Sequence, residues 1–141
     1  GQFRAANAAS LIGRSVLVEG TLVRPDGAGA ARGAATLTDP AEALVVTYSN
    51  SVTGELLHSQ TLGPQQAGPV AFGWDELPAS LVASRLPLRV SVTAATAEGS
   101  QPIAPSVYSR VLSVGTAADG SVVLEVEDKG TVSAETITSF R

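Results

Sequence analysis

The distribution of apolar residues along the chain predicts a protein built mainly of short β-strands. The clearest alternation places Leu86, Leu88, Val90, Val92 and Ala94 on one face, with Pro87, Arg89, Ser91 and Thr93 opposite. Similar strand-like segments, separated by Gly, Pro, Asp and Asn turn residues, occupy positions 44–49, 55–62, 70–74, 107–114 and 121–126. We therefore expect an all-β fold.

The stretch from Ala5 to Val23 organises the predicted architecture. Ala-rich residues that favour a short helix lead to Gly13, which can adopt the left-handed conformation that ends a helix. A strand follows from Val16 to Val23, interrupted at Gly20, where a bulge or bend is expected. Because this strand has no adjacent partner in the sequence, we expect it to pair with the C-terminal strands and close their small meander.

The middle of the chain has the strand content and turn spacing of a small immunoglobulin (Ig) or fibronectin type III sandwich. Residues 44–49 and 55–62 read as a hairpin, and Ser80 to Arg85 reads as one helical turn. The segments Gly27 to Gly33 and Ala97 to Pro105 read as loops. The sequence thus predicts two domains, a small split barrel from residues 1–35 and 105–141 and an inserted sandwich from residues 36–104.

Composition narrows the class of function. The chain is 44% hydrophobic and only 16% charged, and its net charge is −4 with Lys and Arg scattered, so nucleic acid is not an expected partner. No segment approaches the roughly 20 apolar residues of a membrane helix, and we expect no membrane insertion. The absence of Cys excludes disulfides and thiol catalysis. With 4% aromatic residues, the core must be filled by aliphatic side chains.

No cofactor or metal site is indicated. The GAGAARG segment from Gly27 to Gly33 does not fit the spacing of a dinucleotide-binding or P-loop motif. His58 is the only His, so a metal cluster has no second imidazole. Its neighbour Ser59 points to the opposite face of the predicted strand, which prevents a Ser-His pair.

Carboxylates supply the only candidate catalytic groups. Asp75 or Glu76 would support a hydrolase if either met Glu125 in one pocket. Glu125, Glu127 and nearby Asp128 are more typical of the solvated face of a half-exposed strand. We therefore predict no catalytic residue and no enzymatic activity.

Trp74 is the only Trp and alternates with Phe72 on one face, as a core anchor of a sandwich would. An exposed Trp74 in a concave patch would instead indicate a secreted or surface Ig-like binding module for a protein or glycan ligand. That module is the alternative function.

Two motifs in order resemble the flagellar hook-capping protein family. The first is ASLIGRSVLV, ending at Val18, with Ser10, Leu11 and Gly13; the second is Phe72-Gly73-Trp74-Asp75. Val107 to Val111 and a closing Ile137 to Phe140 follow in the family's order. Glu76 and Leu77 to Arg85 depart from the family's Gly-rich loop. The resemblance covers the C-terminal two thirds of such a protein and gives the motif residues structural roles.

The resemblance implies a Tudor-like barrel made by both chain ends and a fibronectin type III-like insert. It implies a non-enzymatic scaffold that caps the distal end of the growing hook and guides polymerisation of hook protein subunits. The implied partners are the hook protein and other copies of the chain in a homo-oligomeric cap. The implied location is the extracellular hook tip, reached through the flagellar type III export apparatus. The family's N-terminal export and assembly region is missing, so Gly1 is expected to begin a fragment.

Overall fold

The computed structural model describes residues 5–141, with side chains from Asn7 onward. Its helices are short: α1 (Ala5–Ala8), α2 (Ala79–Ser84), and 3-10 turns at Ala9–Leu11 and Ala134–Thr136. The strands in this part of the chain are β1 (Ser15–Glu19), β2 (Leu22–Val23), β3 (Ala31–Leu37), β4 (Ala43–Asn50), β5 (Leu56–Leu62), β6 (Gly68–Trp74), β7 (Leu88–Thr96), β8 (Gly99–Ile103), β9 (Pro105–Thr116), β10 (Val122–Val126) and β11 (Gly130–Ser133). The predicted all-β class is confirmed. Among the residues described, no helix has the length and apolar character needed to cross a membrane.

The chain divides into two compact units. Unit 1 comprises Gly1–Val18 and Tyr108–Arg141, and unit 2 comprises Glu19–Val107. The insert predicted from the sequence spans residues 36–104, whereas unit 2 starts earlier and includes β2 and β3. Strand β3 belongs with unit 2 because it pairs along its whole length with β6.

Unit 1 is built around β9, which pairs with β1 on one side and β10 on the other, and β11 continues beyond β10. Ile12 forms a parallel bridge with Val111, and Val16 forms an antiparallel bridge with Phe140. The expected pairing of the N-terminal strand with C-terminal segments is therefore confirmed for β1. The large aliphatic side chains buried in unit 1 are Leu11, Val16, Val18, Val111, Leu124, Val126 and Ile137.

The second half of the predicted N-terminal strand pairs elsewhere. Leu22 and Val23 form β2 and pair with Arg89 and Leu88 of β7, inside unit 2. The expectation that the whole strand joins the C-terminal meander is wrong for these residues. The break at Gly20, whose N–H donates to the Pro105 carbonyl at 3.1 Å, separates β2 from β1.

Unit 2 contains two antiparallel sheets. One has the order β2-β7-β4-β5, with β8 also paired to β7; the other joins β6, β3 and the first residues of β9. Alternate residues of each long strand are buried, as the period-2 pattern predicts. The side chains that fill this core are Leu37, Leu44, Val46, Tyr48, Val70, Phe72, Trp74, Leu88, Val90 and Val92.

The segment Ala97 to Pro105 is not a loop. Residues Gly99–Ile103 form β8, which pairs with β7 from Thr96↔Gly99 to Val92↔Ile103. The connecting turn is closed by Gly99, whose φ is 98°, and by the Thr96 hydroxyl, which donates to the Gly99 carbonyl at 3.0 Å. The GSQPI sequence of β8 has no apolar alternation and includes Pro, which is tolerated because β8 is an edge strand.

The loop predicted from Gly27 to Gly33 is shorter than expected, because β3 begins at Ala31. Its first part is an Asp-centred turn in which the Asp26 carboxylate accepts hydrogen bonds from the N–H groups of Ala28 and Ala30, at 2.8 and 3.0 Å. These hydrogen bonds order the Gly-rich segment.

Candidate functional site

The Phe72 to Asp75 motif forms the end of β6 and lies in the core of unit 2. Trp74 is only 9% exposed. The His58 ring stacks on it with a centroid distance of 4.4 Å and an interplanar angle of 16°, and the Tyr48 ring lies 5.5 Å away. Burial of the indole faces leaves no open platform on which a sugar ring could stack.

A short hydrogen-bonded chain holds this aromatic cluster of Tyr48, His58 and Trp74. The Tyr48 hydroxyl donates to Gln60 Oε1 at 3.1 Å, and Gln60 Nε2 donates to the Gly73 carbonyl at 2.8 Å. These bonds join β4, β5 and β6, and so cross from one sheet to the other. Burial, and secondarily the negative charge of Asp75, raises the pKa of Tyr48 far above its ordinary value.

The raised pKa of Tyr48 gives unit 2 a dependence on alkaline pH. The neutral phenol is favoured in the folded state, so its contribution is fully present below the ordinary Tyr pKa of about 10 and is lost as the pH rises above it. We expect Tyr48→Phe to cost about 1 kcal/mol at pH 8 through the lost hydrogen bond. Thermal melts at pH 8 and pH 11 should show a smaller alkaline loss of stability in Tyr48→Phe than in the parent chain.

Tyr108→Phe is the matched control, since Tyr108 is the other tyrosine of the chain and lies in unit 1. It should leave the alkaline loss of unit 2 unchanged. An equal alkaline loss in the parent and in Tyr48→Phe would show that ionisation of Tyr48 does not control this transition.

Asp75 ends the motif in an ion pair rather than in a catalytic arrangement. Arg32 Nε lies 3.0 Å from Asp75 Oδ1, and Arg32 is directly opposite Gly73 in the β3–β6 pair. The pair is solvent-exposed and contributes roughly 0–1 kcal/mol. Beyond the exposed Glu76, the buried Leu77 donates its N–H to the Gly29 carbonyl at 3.2 Å. The segment that departs from the family's Gly-rich loop thus holds the Asp26 turn and then forms α2.

The ASLIGR motif also has structural contacts. The Ser10 hydroxyl donates to the Asn7 carbonyl at 2.6 Å, and Leu11 is buried in unit 1. Gly13 adopts a φ of 84°, and its N–H donates to the Val111 carbonyl at 2.9 Å. A Cβ at Gly13 would meet open space, so backbone conformation rather than crowding favours glycine there.

The remaining candidate catalytic groups have ordinary surroundings. His58 is stacked in the aromatic cluster, and Glu125 accepts a hydrogen bond from the Thr131 hydroxyl at 2.7 Å. Hydrogen bonds from the Ser121 side chain and backbone lower the pKa of Asp119. The same hydrogen bonds close the β9–β10 turn. Within residues 5–141, no three His, Cys, Asp or Glu side chains are grouped so that they could hold a metal ion.

A cleft of about 530 Å³ opens at one end of unit 2, where β3 ends and the β7–β8 turn approaches it. Leu37, Ala94 and Ile103 provide apolar lining, and Asp39 and Glu98 provide carboxylates. The cleft could not be predicted from the sequence, because residues 99–103, which form β8, have the composition of a loop. We call it the acidic cleft.

The comparisons with known proteins agree with this architecture. The model of the FlgD Ig-like domain family matches residues 20–98, all of which fall in unit 2. The chain belongs to this family. The predicted Ig-like sandwich and the resemblance to flagellar hook-capping proteins are confirmed by this match and by the structures that follow.

Two solved FlgD structures resemble the chain over most of its length. FlgD from Xanthomonas campestris, a structure described as giving insights into the hook capping essential for flagellar assembly, superposes with a TM-score of 0.70 at 24% identity. That match covers 99% of this chain and 100% of the other. FlgD from P. aeruginosa superposes with a TM-score of 0.72 at 18% identity, covering 93% of this chain and 98% of the other. No curated protein sequence matches the chain.

Proposed function

We propose that the protein is a flagellar hook cap scaffold, which guides polymerisation of hook protein subunits at the distal end of the growing hook. The observation that carries this proposal is the membership of unit 2 in the FlgD Ig-like domain family, together with a likeness to FlgD folds that extends over both units. The partners are the hook protein and other copies of the chain. The protein works outside the cell at the hook tip, after passage through the flagellar type III export apparatus.

The proposed mechanism is binding and not catalysis. The two family motifs serve the fold: Ser10, Leu11 and Gly13 direct the chain into β1, while Phe72, Trp74 and Asp75 anchor the end of β6. The buried members of the two motifs, Leu11, Phe72 and Trp74, pack in the cores and offer no surface to a partner. We further propose that unit 1 corresponds to a Tudor-like barrel made from both chain ends and that unit 2 is the inserted domain.

The alternative, a secreted or surface Ig-like binding module for a protein or glycan ligand, has little support because Trp74 is buried. The buried indole removes the sequence feature on which that alternative depends.

The direct test is immunogold electron microscopy of flagellated cells that express this protein, with hooks caught at all stages of growth. We expect label at the distal tips of unfinished hooks, and we expect deletion of the gene to abolish hooks while hook protein accumulates in the medium. Completed hooks should be unlabelled and serve as the internal control. Label spread over the cell surface, with the tips of unfinished hooks bare, would overturn the proposal in favour of a surface binding module.

A further inference from the structure

The acidic cleft has carboxylates with no cation to balance them. Asp39 and Glu98 line it and are exposed, and within residues 5–141 the one polar contact of these two carboxylates is the Thr38 hydroxyl, which lies 3.3 Å from Asp39 Oδ2. A third exposed acid, Glu42, lies nearby, since its N–H donates to the carbonyl of Ala95 at 2.8 Å. Within residues 5–141, none of the three forms an ion pair.

The two arginines in the strands of unit 2, Arg32 and Arg89, lie near the starts of β3 and β7, away from the cleft-lining residues of those strands. Arg89 pairs with the start of β2, whereas the cleft is lined by Ala94 and Thr96 near the other end of β7. Ala94 lies five positions after Arg89, which is about 17 Å along a strand. Unit 2 contains eight Asp and Glu residues and four Arg residues, so it carries the net negative charge of the chain. The cleft therefore presents an apolar floor inside a negative rim.

Unit 1 presents a surface of the opposite character. Phe140 is 45% exposed, and the Arg14 guanidinium lies 4.6 Å from the centre of its ring. Arg14 Nε donates to the Arg141 carbonyl at 3.4 Å, and the Arg141 guanidinium lies 5.6 Å from the centre of the Tyr108 ring. We call Arg14, Phe140, Arg141 and Tyr108 the aromatic–arginine patch. In the described part of the chain, no Asp or Glu side chain forms an ion pair with either arginine.

The two surfaces are complementary in charge, in polarity and in size. A cleft of about 530 Å³ has room for a phenylalanine side chain, and the carboxylates that line it are opposite in charge to the guanidinium groups beside Phe140 and Tyr108. We infer that the acidic cleft binds the aromatic–arginine patch of a second copy of this chain, with Phe140 entering the cleft and Arg14 and Arg141 meeting Asp39 and Glu98. The interface uses different surfaces on the two partners, so each copy keeps one surface of each kind for the next copy. Such head-to-tail contacts generate rings or filaments, not isolated two-fold dimers.

This inference deepens the proposed homo-oligomeric cap and rests on that proposal for its biological role. Its physical content is separate, because it states that copies of the 141-residue chain associate with each other through two named surfaces. Self-association can therefore be measured without hook protein and without cells.

A charge exchange tests the pairing. The cleft variant is Asp39→Lys with Glu98→Lys, and the patch variant is Arg14→Glu with Arg141→Glu. Each variant alone places like charges at its own interface and should raise the dissociation constant at least tenfold, as judged by sedimentation velocity over a concentration series. In an equimolar mixture, the lysines of the cleft variant can meet the glutamates of the patch variant, and the unchanged patch can meet the unchanged cleft. The dissociation constant should then return to within about threefold of that of the parent chain.

Glu55→Lys with Glu76→Lys is the matched control, since it changes the charge of unit 2 equally at exposed sites away from the cleft. It should associate as the parent chain does, and high salt should weaken association of the parent. A parent chain that stays monomeric at several hundred micromolar would overturn the inference. So would two charge variants whose mixture associates no better than either variant alone.

Cysteine pairing provides a second measurement that does not depend on charge. The chain has no Cys, so every disulfide formed is an introduced one. Ala97→Cys, at the cleft, and Ile12→Cys, two residues before Arg14, should cross-link to each other on mixing and oxidation at least fivefold faster than either does with Ala118→Cys in the β9–β10 turn. Equal rates for all pairs would contradict the inference. Bare hook tips alongside association in solution would instead count against the proposed function alone.

Discussion

Replacement of Trp74 by alanine is expected to unfold unit 2 while unit 1 stays folded. The substitution removes the largest side chain from a core that is otherwise mostly aliphatic, and truncation of a buried Trp costs about 3–5 kcal/mol. His58 and Tyr48 lose the ring on which they pack, at 4.4 and 5.5 Å. A loss of this size is a large fraction of the 5–15 kcal/mol that stabilises a typical domain.

Hydrogen exchange measured by mass spectrometry would locate the effect of Trp74→Ala. Peptides from β4, β6 and β7 should lose protection, whereas peptides from β10 and β11 should keep it. The method suits this variant because the chain has no other Trp to report by fluorescence. Val52→Ala is the control, since Val52 is 81% exposed and should change stability by less than about 0.5 kcal/mol. Unchanged protection in β4, β6 and β7 would contradict the role of Trp74 as the anchor of this core.

The sequence predicts well those strands whose alternate residues enter one core. In β7, Leu88, Val90 and Val92 are buried while Arg89 and Ser91 are exposed, because neighbouring side chains point to opposite faces. Burial of Trp74 is predicted in the same way, because Trp74 lies two positions after Phe72 and therefore on the same face of β6. These are local regularities, and one strand is enough to reveal them.

Features that depend on distant partners could not be predicted in this way. β8 has no alternation because four of its five residues are exposed, and its place is set by pairing with β7. β2 contains only Leu22 and Val23, and a two-residue pattern is too short to indicate whether the strand pairs with β7 or with the C-terminal strands. The acidic cleft depends on β8 and on the end of β3, so it became visible only with the fold.

Gly33→Ala is expected to destabilise unit 2 by about 2–3 kcal/mol through crowding, since adding a methyl group to a packed core forces neighbouring atoms apart. Gly33 is buried in β3, between Phe72 of β6 and Val107 of β9. An added Cβ would lie 2.7 Å from Phe72 Cζ and would also press on the Ser106 carbonyl oxygen. The ring can rotate only against the core, and the carbonyl belongs to the paired backbone. The Phe72 ring thus covers a site where no side chain fits.

Gly63→Ala separates this crowding from the general effect of replacing glycine, because a Cβ at Gly63 would meet nothing within 4 Å. It should leave the midpoint of urea unfolding unchanged or raise it slightly, since alanine lowers the entropy of the unfolded chain. A Phe72→Leu background tests the source of the strain. If the ring causes most of it, Gly33→Ala should cost at least 1 kcal/mol less there than in the parent chain. An equal cost in both backgrounds would assign the strain to the Ser106 carbonyl, and a Gly33→Ala variant as stable as Gly63→Ala would show that β3 can move away from its neighbours.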